Sequence, residues 1–305
     1  MYFCICKDNN YMSLKPNKIL VPIGFSEQSI TALKQALNFA QANKSKVFLL
    51  TVLEERSVIQ NLFLDDNSHD LKKKIHNKLS AIISDLKDQY NVEIEPIVSQ
   101  GKIYDQINEV AEMISCDLII MGTAGSPKNK IKKVIGSNAE RVVRLAHCPV
   151  ITIKEINKVQ DCNNIIVPLD LDKETKEKVT YALEYARNWG ATIRLVSVVL
   201  KDNIEIRERL LKNLNQVEKF VLDAGVACTA EIIDGDIKQN IGDNIFDYEK
   251  KFKDDIIMIM TKKEELSLSN NISVTARYII NNSPIPVMCI RPAPRKHLTG
   301  PTTAF

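Results

Sequence analysis

NKILVPIGFSEQSITALKQALNFAQANKSKVFLLTVLEE (17–55) opens on a short apolar run, passes into a segment of helical period and closes on a second apolar run. Runs of Ile, Val and Leu without polar alternation suit strands covered on both faces. Strand, helix, strand in this order is the unit of a parallel sheet with right-handed crossovers. The pattern returns at 163–200 as NNIIVPLDLDKETKEKVTYALEYARNWGATIRLVSVVL. Pro22 to Pro168 and Val47 to Ile193 both span 146 positions, so the register holds across the whole unit. A repeat of this length fixes the domain count better than chain length does.

Working outward, VSQGKIYDQINEVAE (98–112) answers IIDGDIKQNIGDNIF (232–246), CDLIIMGT (116–123) answers DDIIMIMT (254–261), and CPVITIK (148–154) answers IPVMCIR (285–291). The spacing shortens to 138 between Asp117 and Asp255, which places a deletion in the middle of the second copy. Two domains follow, 17–155 and 163–292, with the boundary in the polar stretch EINKVQDCNN (155–164). Within the first, strands are expected in KILVPI, KVFLLTVL, VEIEPIVS, DLIIMG and PVITIK, and helices over 27–42, 70–89, 102–113 and 137–145. In the second helix Leu71, Ile75, Leu79, Ile82 and Leu86 share one face. Five strands and four helices per copy fit a domain of common size. The first eleven residues, with Met12 as a second candidate start, and the Pro-, Gly- and Thr-bearing end from Pro292 read as loose tails.

Composition narrows the function. Charged residues make up 26% of the 305 residues, yet 41 Lys and Arg against 38 Asp and Glu leave a net charge of only +3, so no strong field invites nucleic acid or an anionic membrane surface. Cys4, Cys6, Cys116, Cys148, Cys162, Cys228 and Cys289 are scattered without C-x-x-C spacing, which argues for reduced thiols rather than a disulfide framework or a zinc site. The run YFCIC lacks the length and basic flank of a signal sequence, and no segment has the length of a membrane span. These features point to the cytoplasm. His69, His76, His147 and His297 show no metal-ligand spacing, and His147 is expected at the surface. Trp189, the sole tryptophan, reads as core, and Asp172 of the Asp170–Asp172 pair as a helix cap.

The chemistry concentrates in MGTAGSPKNKIKKVIGSNAER (121–141). DLIIMG delivers Gly122 to the carboxyl edge of the sheet, where ligands of open parallel sheets bind. Gly122 and Gly125 let main chain approach phosphate oxygens, and Gly136 and Ser137 open a helix whose unpaired N–H groups and positive dipole end attract an anion. The same residues carry a second reading. Ser137 to Glu140 spells S-x-x-E, a capping box that closes the helix start with no ligand, Gly122 is also a strand terminator, and Lys128, Lys130, Lys132 and Lys133 also read as solvated charge.

ILVPIGFSEQSITAL, VSQG, DLIIMGTAG and GSNAERVVRLAHCPVITIK together resemble the universal stress protein family, in a tandem two-domain form. The resemblance covers nearly the whole chain apart from the tails and is strongest over 18–154. It implies an α/β fold of two Rossmann-like or flavodoxin-like αβα sandwich domains, each with a five-stranded parallel sheet. It also implies side-by-side pairing through the last strands, here an intramolecular pseudo-dimer, with a homodimer as a further assembly. Some members bind ATP; others lack the glycine loop and act through protein partners. The ATP pattern maps onto Gly122, Gly125, Gly136 and Ser137, flanked by Met121 and Asn138, with adenine against Pro22, position 24 and Val52.

Two departures stand out. Ten residues separate Gly125 from Gly136 where the family pattern has nine, an excess that a bulge at Pro127 would absorb, and Gly24 occupies the place of an aspartate. The second copy keeps Pro168, Asp170 and Val198, but Met260 and Lys263 stand for Gly122 and Gly125, and Ser273 aligns with Ser137, preceded by Ile272. ATP, with no metal beyond its accompanying Mg, is therefore expected in the first domain alone. No Walker lysine, triad or arranged acid and base pair offers a residue for hydrolysis. A nucleotide-responsive stress protein, a partner-binding protein without nucleotide and a slow adenine-nucleotide hydrolase remain the three readings.

Overall fold

The computed structural model describes residues 17–54, 68–123, 136–154, 162–170, 175–200, 204–252, 255–261 and 272–291. Both tails, Asp172, Lys263, most of the domain boundary and the loop carrying Gly125, Pro127 and the four lysines lie outside the described residues. The first unit runs β1 (Lys18–Pro22), α1 (Glu27–Asn43), β2 (Lys46–Leu53), α2 (Ser68–Lys87), β3 (Ile94–Gln100), α3 (Ile103–Met113), β4 (Leu118–Gly122), α4 (Ser137–Leu145) and β5 (Val150–Ile153). The second repeats it as β6 (Asn164–Pro168), α5 (Thr175–Trp189), β7 (Thr192–Val199), α6 (Ile204–Asp223), β8 (Cys228–Asp234), α7 (Ile241–Phe252), β9 (Ile256–Met260), α8 (Val274–Asn282) and β10 (Val287–Ile290).

The strands form one ten-stranded sheet in the order β3-β2-β1-β4-β5-β10-β9-β6-β7-β8. Every pairing within a unit is parallel. The units meet at β5 and β10, which pair antiparallel with Ile151 opposite Met288. Successive strand residues feed opposite faces: Ile19 and Val21 pack against α1 and α2, while Leu20 packs against α3 and α4. Burial on both sides explains why these runs read as continuous apolar sequence. α1, α2, α5 and α6 cover one face, and α3, α4, α7 and α8 the other, giving the αβα sandwich.

The repeat extends to single hydrogen bonds. Asp117 Oδ2 accepts the N–H groups of Asn17 and Lys18 at 2.9 and 3.0 Å. Asp255 Oδ2 does the same for Asn163 and Asn164 at 2.7 and 2.8 Å. At the opposite edge Thr51 Oγ1 donates to Ile23 O and Ser197 Oγ to Leu169 O, so each unit ties the end of its first strand to its second.

Three features differ from the sequence reading. The buried stripe of α2 runs through Leu79, Ile83 and Leu86, with Ile75 and Ile82 at its margin, because packing on a twisted sheet rotates the buried face by about one residue. Trp189 is not enclosed core: it lies between the units, its ring edge-on to Phe39 of the first unit at 5.0 Å and tilted against Tyr185 at 4.9 Å. The helix over 137–145 starts one residue earlier than a capping box on Ser137 requires, with consequences for the site. His147 is exposed, as expected.

Candidate functional site

At the carboxyl edge of the first unit a cavity of about 580 Å³ opens between the ends of β1, β2 and β4 and the starts of α1, α3 and α4. Its position follows from topology: β1 and β4 are neighbours whose connections leave toward opposite faces, so the chain splits above them. Pro22, Gly24 and Val52 line one side; Met121, Gly122, Gly136, Ser137 and Asn138 line the other. All these sequence-derived site residues therefore share one cavity, and Gly125 is the member outside the described residues.

The helix start has a geometry the sequence misread. Gly136 is the N-cap of α4 and offers no side-chain cap, while Ser137 is the first helical residue. A capping box needs its serine at the N-cap, so the S-x-x-E reading does not hold. Glu140 instead pairs through Oε1 with Arg277 Nη2 at 2.6 Å. The first bond of the helix runs from Glu140 N–H to Gly136 O at 3.0 Å. The N–H groups of Ser137, Asn138 and Ala139 precede it and carry the positive end of the helix dipole toward the cavity those residues line. Gly136 N–H is itself engaged, donating to Thr123 O at 2.7 Å.

The second unit answers differently. Ser273 N–H donates to Thr261 O at 3.0 Å, the bond that Gly136 makes in the first unit, and Ser273 is the N-cap of α8. Ser273 thus stands in the register of Gly136, not of Ser137, and the alignment of the two serines is corrected by one residue. Its Oγ accepts from Ala276 N–H at 3.2 Å, so a side chain of the protein already occupies one of the N–H groups of the helix start. Val274, in the place of Ser137, is exposed and apolar. Leu200, in the place of Glu54, lies with Val198 close against Gly235, where an added Cβ would come within 2.9 and 2.7 Å of them.

A Cβ on Gly122 would stand 3.4 Å from the main-chain oxygen of Gln28, in the first turn of α1, so the strand end and that turn are already in close contact. Met260, its counterpart, is buried in the core shared with α5. Its side chain goes into packing, so the cap, more than the methionine, separates the two edges. Gly24 is exposed and a Cβ on it meets nothing within 4 Å, so nothing steric forbids a side chain at the position where the family pattern has aspartate.

Sequence reasoning missed several lining residues. Glu54 lies just beyond β2 and adds a carboxylate to the cavity wall, with Ile103 and Ile107 of α3 opposite as apolar surface. Ser26 and Ser29 also line it, but their hydroxyls serve α1: Ser26 Oγ accepts from Ser29 N–H, and Ser29 Oγ donates to Ser26 O. The serine before an amphipathic helix was the available signal for Ser26. Of the three helices that start at this cavity, α1 is capped by its own serine, while α3, behind Lys102, and α4, behind Gly136, have no side-chain cap.

Comparison with known proteins fits this geometry. Residues 16–154 and 162–291 each match the Universal stress protein family. The chain is 30% identical over 164 residues to universal stress protein MJ0577 of Methanocaldococcus jannaschii, covering 48% of this chain and 99% of that protein. It is 29% identical over 153 residues to universal stress protein MJ0531 of the same organism, covering 46% of this chain and 84% of that one. A universal stress protein structure from Archaeoglobus fulgidus DSM 4304 superimposes over 90% of this chain and 98% of its own with a TM-score of 0.70 at 18% identity, a likeness of fold. With both of its repeats matched, the chain belongs to the Universal stress protein family and carries two such units in tandem.

Proposed function

We propose that this tandem universal stress protein is a nucleotide-responsive binding protein that takes ATP in its first unit and none in its second. The observation that carries the reading is the contrast between the helix starts: Gly136 leaves α4 without a side-chain cap at a cavity wall, whereas Ser273 caps α8 itself. An anion on uncapped N–H groups gains both hydrogen bonds and the dipole, whereas one that must displace a cap gains less by the bond it breaks. Ser137 and Asn138 would hold the phosphates, with Gly122, Gly125 and Gly136 giving bare main chain beside them. Pro22, Val52 and Met121 would supply apolar wall for the base. ATP would bring its own Mg, and the role assigned is binding rather than turnover.

Gly24 favours a second reading, a partner-binding stress protein without nucleotide, since it provides no polar side chain to contact an adenosine. The two separate on one preparation. Nucleotide released by denaturing the purified protein is identified chromatographically, and the stripped protein is titrated with ATP. Adenine nucleotide in the extract and saturable binding support the first reading; an empty extract and a flat titration support the second. We place the protein in the cytoplasm: no helix among the described residues is long and apolar enough to cross a membrane, and the described cysteines are free. The neighbouring Cys116 and then burial hold the Cys148 thiol far above its ordinary value, and burial does so for Cys289, which suits inert, reduced thiols.

A further inference from the structure

We propose that the second unit completes the electrostatics of the first unit's anion site, with Arg277 neutralising Glu140 across the seam. The inference rests on the ATP reading above and gives the unit without a site a role in that site. Glu140 stands four residues beyond Gly136, about 6 Å along the axis of α4 and inside one Debye length of the helix start. A carboxylate in the first turn of a helix interacts with the same positive dipole end that an entering anion needs, and it repels that anion. Glu140 Oε1 is held by Arg277 Nη2 at 2.6 Å, and the cation comes from α8, in the other unit.

Position makes this more than a surface contact. Glu140 and Arg277 occupy the same place in their units, each four residues after its N-cap. In the register of β5 and β10, Ile151 faces Met288, with Val150 opposite Cys289 and Thr152 opposite Val287, so the two units are related by an approximate dyad. Across such a dyad equivalent residues meet. A second copy of the first unit in place of the second would set Glu140 against Glu140 and add negative charge beside two anion sites. The tandem chain sets Glu140 against Arg277 instead. The second unit also holds the far end of α4, where Arg291 Nη1 donates to Leu145 O at 3.1 Å, and Lys154 Nζ returns the contact to Asn281 O at 2.7 Å.

Side chains exposed to 46% and 31% form a pair that contributes little to stability, so its weight falls on the affinity for a multiply charged ligand. Arg277 acts through Glu140 and is a positioning residue of the site. The test titrates the full chain with ATP at low and at physiological salt. Arg277→Glu is expected to bind roughly tenfold more weakly at low salt, with the gap narrowing as salt screens the charges. Glu140→Gln combined with Arg277→Gln also lacks the ion pair but carries no stray charge, and it is expected within about twofold of wild type. A merely structural role predicts the opposite for that double variant. Wild-type affinity in Arg277→Glu, or a double variant as weak as Arg277→Glu, overturns the inference while leaving the ATP reading in place. A wild-type chain that takes up no ATP sinks both.

Discussion

On the proposed ATP reading, Gly24 is the residue at which the affinity of the site turns. It lies at the cavity wall just past β1, exposed, with open space where a side chain would begin, so substitution there costs no packing. Gly24→Asp therefore tests the chemistry without disturbing the fold. We expect it to tighten ATP by roughly three- to tenfold, the worth of one added polar contact to the ligand, with an unchanged thermal midpoint. Equal or weaker binding would mean that position 24 does not face the adenosine. Pro22, Val52 and Gly122 were legible in the sequence because strand ends in a parallel sheet are fixed by the apolar runs preceding them. The capping of the helix over 137–145 was not. GS in one unit and IS in the other invite the two serines to be superimposed, yet the N–H of Gly136 and that of Ser273 make the same bond, to Thr123 O and Thr261 O. Only three-dimensional register exposes a one-residue slip of this kind.

Helix ends also separate the units elsewhere. α1 closes at Lys44, which adopts a left-handed conformation with φ 57°, and its counterpart after α5 is Gly190 with φ 67°. A side chain in this region is strained where glycine is not. Lys44→Gly is thus expected to stabilise the protein by about 0.5–1 kcal/mol, read as a raised urea midpoint with the slope unchanged. A lowered midpoint would show that Lys44 makes contacts worth more than the strain. Elements of this sort were largely readable: the helix over 137–145 has the bounds expected of its helical period, and the strand KVFLLTVL those of its apolar run. The stripe of α2 was less so, since Ile82 and Ile83 are adjacent and both apolar. Which of the two is buried depends on how the helix lies across the twisted sheet, and periodicity alone does not contain that angle.

Over the whole molecule the two units share their cores. The cluster under α1 and α2 continues into residues of α5 and α6, and that beneath α3 and α4 into α7 and α8. The chain should therefore unfold as one body. Trp189, seated against Phe39 of the other unit, reports on the seam, and its fluorescence is expected to change at the same urea concentration as the far-ultraviolet circular dichroism. Two separated midpoints would show units that melt independently. The 146-residue repeat made the architecture legible, but Trp189 read as core, because an aromatic late in an amphipathic helix looks the same whether its neighbour is its own unit or the next. Division of labour between the units is the central claim, and native mass spectrometry of the full chain with ATP tests it most directly. One ATP per chain is predicted, weakened in Gly136→Ser, which gives α4 the cap of α8, and unaffected in Ser273→Ala. Two ATP per chain, or a single one that Gly136→Ser leaves undisturbed, would contradict it.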